Sequence, residues 1–222
     1  MTIKQSDKES LEFQLYDWLE GHDIPLDEDG DFDEDDDLPG EFIIHSFGRC
    51  DNGKSVYAKI VGFTPYFYFL IPNKLQNKPK SQLEEMMKKI EFYFKSKDNK
   101  KVFYKFKSTL KEIQLVKLKR AEGFTNDREF WFARLVFNNA DGMKKYKSYL
   151  ENNEISIPSI PELNKPMKYK LYEANLPPML RCFHIREISG CSWIETTKYD
   201  LIEDDDEKES RCDIEIHVDW RN

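Results

Sequence analysis

The residues whose spacing most suggests chemistry lie near the end of the chain, at Asp213-Ile214-Glu215. An Asp-x-Glu on a strand sets two carboxylates on one face, the arrangement a two-metal nuclease uses to clamp its ions. Such chemistry needs further carboxylates delivered from other strands. The nearest, Asp204 to Asp206, belong to an acidic run with no positioning pattern, so the pair reads as surface-facing strand residues. His22, His45, His184 and His217 are scattered; His184, after Phe183 on an expected helix, reads as a packed histidine rather than a base. Cys50, Cys182, Cys191 and Cys212 form no C-x-x-C pair, which argues against a zinc site. Neither a phosphate-binding glycine loop nor a nucleophile elbow is present. These patterns give catalysis no support.

A second kind of chemistry is binding. From Lys95 to Arg120 there are ten basic residues against Asp98 and Glu112, a local charge of +8. Lys101, Lys105, Lys107, Lys117, Lys119 and Arg120 interleave with Phe103, Tyr104 and Phe106, as on a strand surface that follows a phosphate backbone. Phosphate contacts of this kind position a strand without reading its sequence. The other reading of the same residues is a solvated sheet edge guarded by lysines against aggregation. The aromatic run Tyr66-Phe67-Tyr68-Phe69-Leu70 could stack bases only if exposed. Alternation gives Tyr66, Tyr68 and Leu70 one face and Phe67, Phe69 and Ile71 the other. A segment apolar on both faces reads as a central, buried strand.

The elements that must position these groups follow from periodicity. Residues 11–19 carry Leu11, Leu15, Trp18 and Leu19 at helical spacing, which predicts a short amphipathic helix. Asp51-Asn52-Gly53 between two β-rich runs is a hairpin signal. A helix is expected over Pro79–Lys97, with Ser81 as N-cap and Glu84 completing a capping box. Strands follow at Lys101–Leu110, Glu112–Arg120 and "FWFARLVF", then a helix in "NADGMKKYKSYLENN", a closing strand in "MKYKLYEAN", a helix in "PPMLRCFHIREI" and a strand in "CDIEIHVDW". From Tyr66 onward, treating one β-stretch as an edge extension leaves the β-α-β-β-α-β plan of ferredoxin-like and RNA-recognition-type domains.

Composition bounds the partners. The chain has 222 residues, 14% of them aromatic, and a formal charge of −8. Asp27 to Asp37 carries nine acids and Glu203 to Glu207 five; setting those aside turns the charge to +6, so the whole-chain value misleads about partners. The first run reads as a solvated linker, because Gly30 falls at the wrong position for a calcium loop. No secretory signal or membrane-length apolar run is evident, so reduced thiols, an intracellular setting and no membrane partner are expected.

Two blocks carry a resemblance. "FIIHSFGRCDNGKSVYAKIVGFTPYFYFLIP" (Phe42 to Pro72) and "YEANLPPMLRCFHIREISGCSWIE" (Tyr172 to Glu195) resemble, in order and separation, segments of the family B DNA polymerases of the delta-like group, including those of large double-stranded DNA viruses. The resemblance implies an α+β N-terminal domain over 41–222. An RNA-recognition-like, ferredoxin-like part would span about 65–160, with a mixed or antiparallel sheet. A β-hairpin and small β-barrel part would take 41–64 and 165–222. Residues 1–40 lie outside the resemblance and read from their own pattern as a peripheral helix and a flexible acidic linker.

The resemblance further implies a noncatalytic domain of a replicative polymerase that scaffolds the exonuclease and palm and contacts template single strand. The alternative is a stand-alone single-stranded nucleic-acid-binding module. Arg181 and Trp193 would belong to the structural junction with the rest of the enzyme. Family polymerase motifs of the "SLYPS" and "YGDTDS" kind are absent, and Cys212 stands where the exonuclease motif has phenylalanine before Asp-Ile-Glu. Polymerase and 3'-5' exonuclease activity, nucleotide binding and magnesium would therefore belong to the full-length protein, with no cofactor in this segment. A sliding clamp would be reached through other regions, at the site of viral replication in cytoplasm or nucleus. Cys191 stands where the family commonly has glycine, which puts that turn's conformation in question.

Overall fold

The structure, a computed structural model, describes residues 10–23, 40–96, 109–120, 123 and 126–221. Its elements run β1 (Leu11–Asp23), β2 (Glu41–Arg49), β3 (Ser55–Val61), β4 (Tyr66–Leu70), α1 (Lys80–Lys95), β5 (Leu110–Lys119), β6 (Glu129–Phe137), α2 (Ala140–Asn152), β7 (Leu171–Tyr172), α3 (Pro178–Arg186), β8 (Trp193–Thr196), β9 (Asp200–Leu201) and β10 (Ile214–Asp219). The fold is α+β with two sheets, one of them curled as a half-barrel. The chain divides into two compact units: a β-rich one built from the described parts of 1–24, 40–63 and 177–222, and a second over 64–176.

In the β-rich unit the strand order is β8-β1-β2-β3-β10-β9. All pairs are antiparallel except β3 with β10. The Asn-Gly hairpin forms as expected. Gly53 sits at φ 85°, a conformation that costs other residues, and Asn52 Oδ1 accepts the Lys54 N–H at 3.0 Å. The expected helix over 11–19 is instead strand β1. Leu11, Phe13 and Leu15 alternate inward, then a bulge between Leu15 and Asp17 inserts Tyr16 and brings Trp18 back to the inner face. That one-residue insertion turns a period of two into apparent helical spacing. Phe13, Leu15, Val56, Ala58 and Ile216 make this unit's core.

Helix α3 begins at two prolines, as a first turn tolerates. It has no capping side chain of its own; Glu20 of β1 accepts the Met179 N–H at 3.2 Å, placing a carboxylate at the positive helix end. The helix closes as a Schellman motif, with Ile188 N–H to Phe183 O and Glu187 N–H to His184 O, and Glu187 in the left-handed region at φ 55°.

The second unit has the order β5-β6-β4-β7, antiparallel throughout, with α1 and α2 as its helices. This is the β-α-β-β-α-β plan, with β4 inside the sheet. Phe67, Phe69 and Ile71 are fully buried with Leu83, Ile90, Phe94, Leu135 and Leu150. Burial of each such side chain stabilises by about 1.5–3 kcal/mol, which is why this face of the run is core and not a platform. Helix α1 starts two residues earlier than the capping box suggested, with Pro79 at the N-cap. The Pro79 carbonyl already accepts from Gln82 and Leu83, which puts Ser81 inside the helix, and no side chain caps it. In α2, Asn139 caps Gly142 N–H at 2.7 Å; a Cβ on Gly142 would meet Thr109 Cβ at 2.5 Å, so only glycine fits.

Candidate nucleic-acid interface

Asp213 Oδ2 accepts from Ser55 N–H at 2.8 Å and Ser55 Oγ at 2.7 Å. Those hydrogen bonds hold its carboxyl below the usual aspartate range. Glu215 is 0% exposed, and its oxygens accept from Glu209 N–H and Ser210 N–H, both at 2.9 Å, and from Ser210 Oγ at 2.7 Å. Both acids therefore fasten backbone: Asp213 ties β10 to β3, and Glu215 pins the end of the acidic loop. Among the described residues no group of three His, Cys, Asp or Glu could hold a metal ion. With their oxygens taken by Ser55, Glu209 and Ser210, the two carboxylates do not fit a magnesium site.

Polar contacts near that loop are structural as well. Lys59, 7% exposed, donates to Glu209 Oε1 at 2.6 Å. Burial pulls the Glu209 carboxyl upward, but the hydrogen bond and charge of Lys59 outweigh it and hold it low. Tyr57 Oη lies 2.7 Å from His45 Nδ1. His184 is exposed on α3, not packed as its neighbours in sequence suggested, because the inward positions of that short helix are Pro178, Arg181 and Cys182.

The basic residues meet at the tip of the β5–β6 hairpin. Register pairs Lys117 with Trp131, Leu118 with Phe130 and Lys119 with Glu129. Strand alternation then puts Trp131 with Lys117 and Lys119 on one face and Phe130 with Leu118 on the other. Lys117 Nζ lies 5.6 Å over the Trp131 ring; Arg120 and Arg128 lie 5.3 and 5.2 Å from the Phe130 ring centre. Lys117 also faces Glu129 at 3.4 Å, and Lys119 faces Asp127 at 2.9 Å. Both ion pairs are solvated, so each contributes at most about 1 kcal/mol to the fold. Their cations are exchangeable.

Trp131 itself is held firmly. The Gln76 side chain acts as a strand extension, donating Nε2 to Ile71 O at 2.6 Å and Trp131 O at 2.9 Å while Oε1 accepts Trp131 N–H at 2.7 Å. Between Gln76-Asn77 and the hairpin tip lies an open cleft of about 490 Å³, lined also by Lys117, Lys119, Asp127, Arg128, Glu129 and Trp131. Chemically this tip can hold phosphates and flat rings; it offers no acid–base pair.

Of the residues singled out from sequence, the structure thus brings Lys117, Lys119 and Arg120 together at one tip. Lys101, Lys105 and Lys107 lie outside the described residues, as does the acidic linker 27–37. Arg181 is 3% exposed on the inner side of α3, and Trp193, 49% exposed, sits on edge strand β8; both belong to the β-rich unit. Sequence reasoning missed Arg128, Phe130, Trp131 and Asn77. The first three were findable, because folding the hairpin about Gly123 sets them opposite the basic stretch.

The relatives of this chain are DNA polymerases. No family model matches the chain. It is 30% identical over 212 residues to the DNA polymerase of Acanthamoeba polyphaga mimivirus, covering 96% of this chain and 11% of that protein. It is 27% identical over 222 residues to the DNA polymerase of Pyramimonas orientalis virus, covering 100% and 16%. It is 28% identical over 181 residues to the DNA polymerase delta catalytic subunit of Dictyostelium discoideum, covering 78% and 15%. Over most of its length the chain is homologous to one part of these DNA polymerases.

In fold, the chain resembles the family B DNA polymerase of the archaeon Pyrobaculum calidifontis, with a TM-score of 0.53 and 14% identity over 94% of this chain and 20% of that one. The match corresponds to the N-terminal domain of such polymerases. The chain thus spans 11% to 16% of the length of the polymerases just named from the two viruses and Dictyostelium. Viral members stand among its relatives, as the two sequence blocks implied. At Cys191, φ is +60°, so this chain keeps a left-handed turn where the family commonly has glycine.

Proposed function

We propose that this chain is the noncatalytic N-terminal domain of a replicative DNA polymerase, and that it contacts the unpaired template strand through the tip of the β5–β6 hairpin. The observation that carries the reading is the gathering there of four cations: Lys117 over Trp131, Arg120 and Arg128 over Phe130, and Lys119 beside them, with Lys117 and Lys119 in solvated ion pairs that a phosphate can replace. In this reading Asp213 and Glu215 have no catalytic role, and polymerisation, proofreading and magnesium binding belong to other parts of a longer polymerase. Arg181 and Trp193 belong to the structural junction with those parts, Trp193 through its half-exposed ring and Arg181 from its buried position on α3.

The test is fluorescence anisotropy of the 222-residue chain with a labelled single-stranded oligonucleotide across a salt series. Neutralising each phosphate steepens the log–log salt slope by about 0.7 for single strands, so engagement of several cations predicts a slope near −2 to −3. Binding that is absent at low salt, or that does not respond to salt, contradicts template contact by this chain.

A further inference from the structure

We propose that the outer edge of β5, from Leu115 to Lys119, takes up an extended acidic peptide of a partner protein as an added antiparallel strand. This goes beyond template contact, because it asks for backbone pairing with protein and not for phosphates. Strand β5 is the edge of its sheet, so one row of its N–H and C=O groups faces away from β6. Two contacts tell which row. Ile113 N–H turns outward to Glu91 Oε2 at 3.0 Å, and Trp131, opposite Lys117, spends its N–H and C=O on the Gln76 side chain. Alternation then turns the backbone of residues 113, 115, 117 and 119 outward and leaves 112, 114, 116 and 118 to bond β6.

Helix α1 covers only the first part of that edge. Glu91 takes the Ile113 N–H, and Lys95 donates to the Lys111 carbonyl. Beyond them, among the described residues, nothing bonds the outward backbone groups of Leu115, Lys117 and Lys119. The open stretch is about 17 Å long, room for a short strand to pair with all three residues.

Side chains set the partner's chemistry. Lys117 and Lys119 share one face of β5, while Val116 and Leu118, the latter 38% exposed, share the other. A strand with acids on the first face and apolar residues on the second complements both, since opposed unlike charges and apolar pairs stabilise a sheet. The acids now facing the lysines, Glu129 and Asp127, are solvated and exchangeable. A second copy of this strand brings lysines against lysines and is disfavoured. The flank of α1 that reaches the edge is similar in kind. Lys88, Glu91, Phe92 and Lys95 form one stripe, in which Phe92 is 76% exposed and Lys88 has no ion-pair partner among the described residues.

The test is amide-resolved NMR of the 222-residue chain with a ten-residue peptide of alternating glutamate and valine. In the free chain the amides of Leu115, Lys117 and Lys119 are expected to exchange with solvent at least about tenfold faster than those of Gln114, Val116 and Leu118. Saturating peptide is expected to slow the first three by about tenfold or more. The same peptide methylated on its glutamate backbone nitrogens keeps its charge and is expected to bind at least about tenfold more weakly. Methylation at the valines instead is expected to change binding by less than about 2-fold. Lys117→Pro removes an outward N–H and no ladder bond; it is expected to lose binding that Lys117→Gln partly retains. Equal binding of all three peptides reduces the contact to charge attraction and overturns the proposal. Absence of binding overturns it as well. So does slow exchange at the three amides in the free chain, because the edge is then already paired.

Discussion

Two charged regions of this chain look equally suggestive in sequence and behave oppositely in structure. Glu215 is buried and Asp213 is exposed, but the oxygens of both are used by the fold, Asp213 accepting from Ser55 and Glu215 from Glu209 and Ser210. At the hairpin tip Lys117, Arg120 and Arg128 lie over rings, and Lys117 and Lys119 face acids that are themselves solvated. Removing a buried acceptor leaves donors without partners, at a cost of about 1–3 kcal/mol or more. Removing a solvated pair costs nearly nothing. Charge that holds the molecule together is unavailable for ligands, and charge that does not is available.

That comparison can be broken most severely at Glu215. Glu215→Ala leaves two backbone N–H groups and the Ser210 hydroxyl unpaired, so stability should fall by about 3 kcal/mol. For a chain of this size that corresponds to a melting temperature lower by about 6–12 °C. Calorimetry showing wild-type melting would remove the structural role assigned to this carboxylate. The converse substitution is Lys119→Glu with Arg128→Glu. It should weaken single-strand binding by about tenfold or more at low salt and flatten the salt slope, while melting shifts by less than about 0.5 kcal/mol.

Smaller effects sharpen the contrast inside the β-rich unit. Cys191 at φ +60° carries a left-handed strain of about 1–2 kcal/mol. Glycine relieves it but loses about 0.4–1 kcal/mol through the freer unfolded chain. Cys191→Gly should therefore stabilise by about 0.5 kcal/mol, a melting-temperature rise of one or two degrees in differential scanning calorimetry.

The smallest effect is acid sensitivity. Asp219 is drawn down to about 2 by its hydrogen bonds from Arg221, and Asp213 and Glu209 are also held low. A carboxyl depressed in the folded state stabilises above the ordinary carboxylate range, and that contribution is lost as pH falls through its folded value. Melting temperature should hold down to about pH 4.5 and drop between there and pH 2. Asp219→Asn should drop less over that interval; an identical pH profile would show that this carboxylate makes no contribution.

Much of the fold was legible because the signals were local. The Asn-Gly turn, the two-faced run at Tyr66–Leu70 and the apolar stripe of α1 each state their geometry within a few residues. Strand β1 was not, because the bulge at Tyr16 scrambles its alternation. The α1 cap was misplaced because Pro79 starts the helix through its carbonyl, a contact no capping motif records. The candidate site was half legible. The lysines announce themselves by charge, but Trp131, Arg128 and Asn77 join them only through hairpin register and through the Gln76 side chain that closes the gap between two segments. Register and long-range amide contacts have no short-range signature.

The central claim is that the hairpin tip acts and the carboxylate pair only holds. Its most direct test is one salt-dependent anisotropy titration of a single-stranded oligonucleotide against wild type, the Lys119→Glu/Arg128→Glu variant and Asp213→Asn. The account predicts that the tip variant loses affinity by about tenfold or more and that Asp213→Asn binds as wild type does. Unchanged binding by the tip variant, with loss in Asp213→Asn, would contradict it.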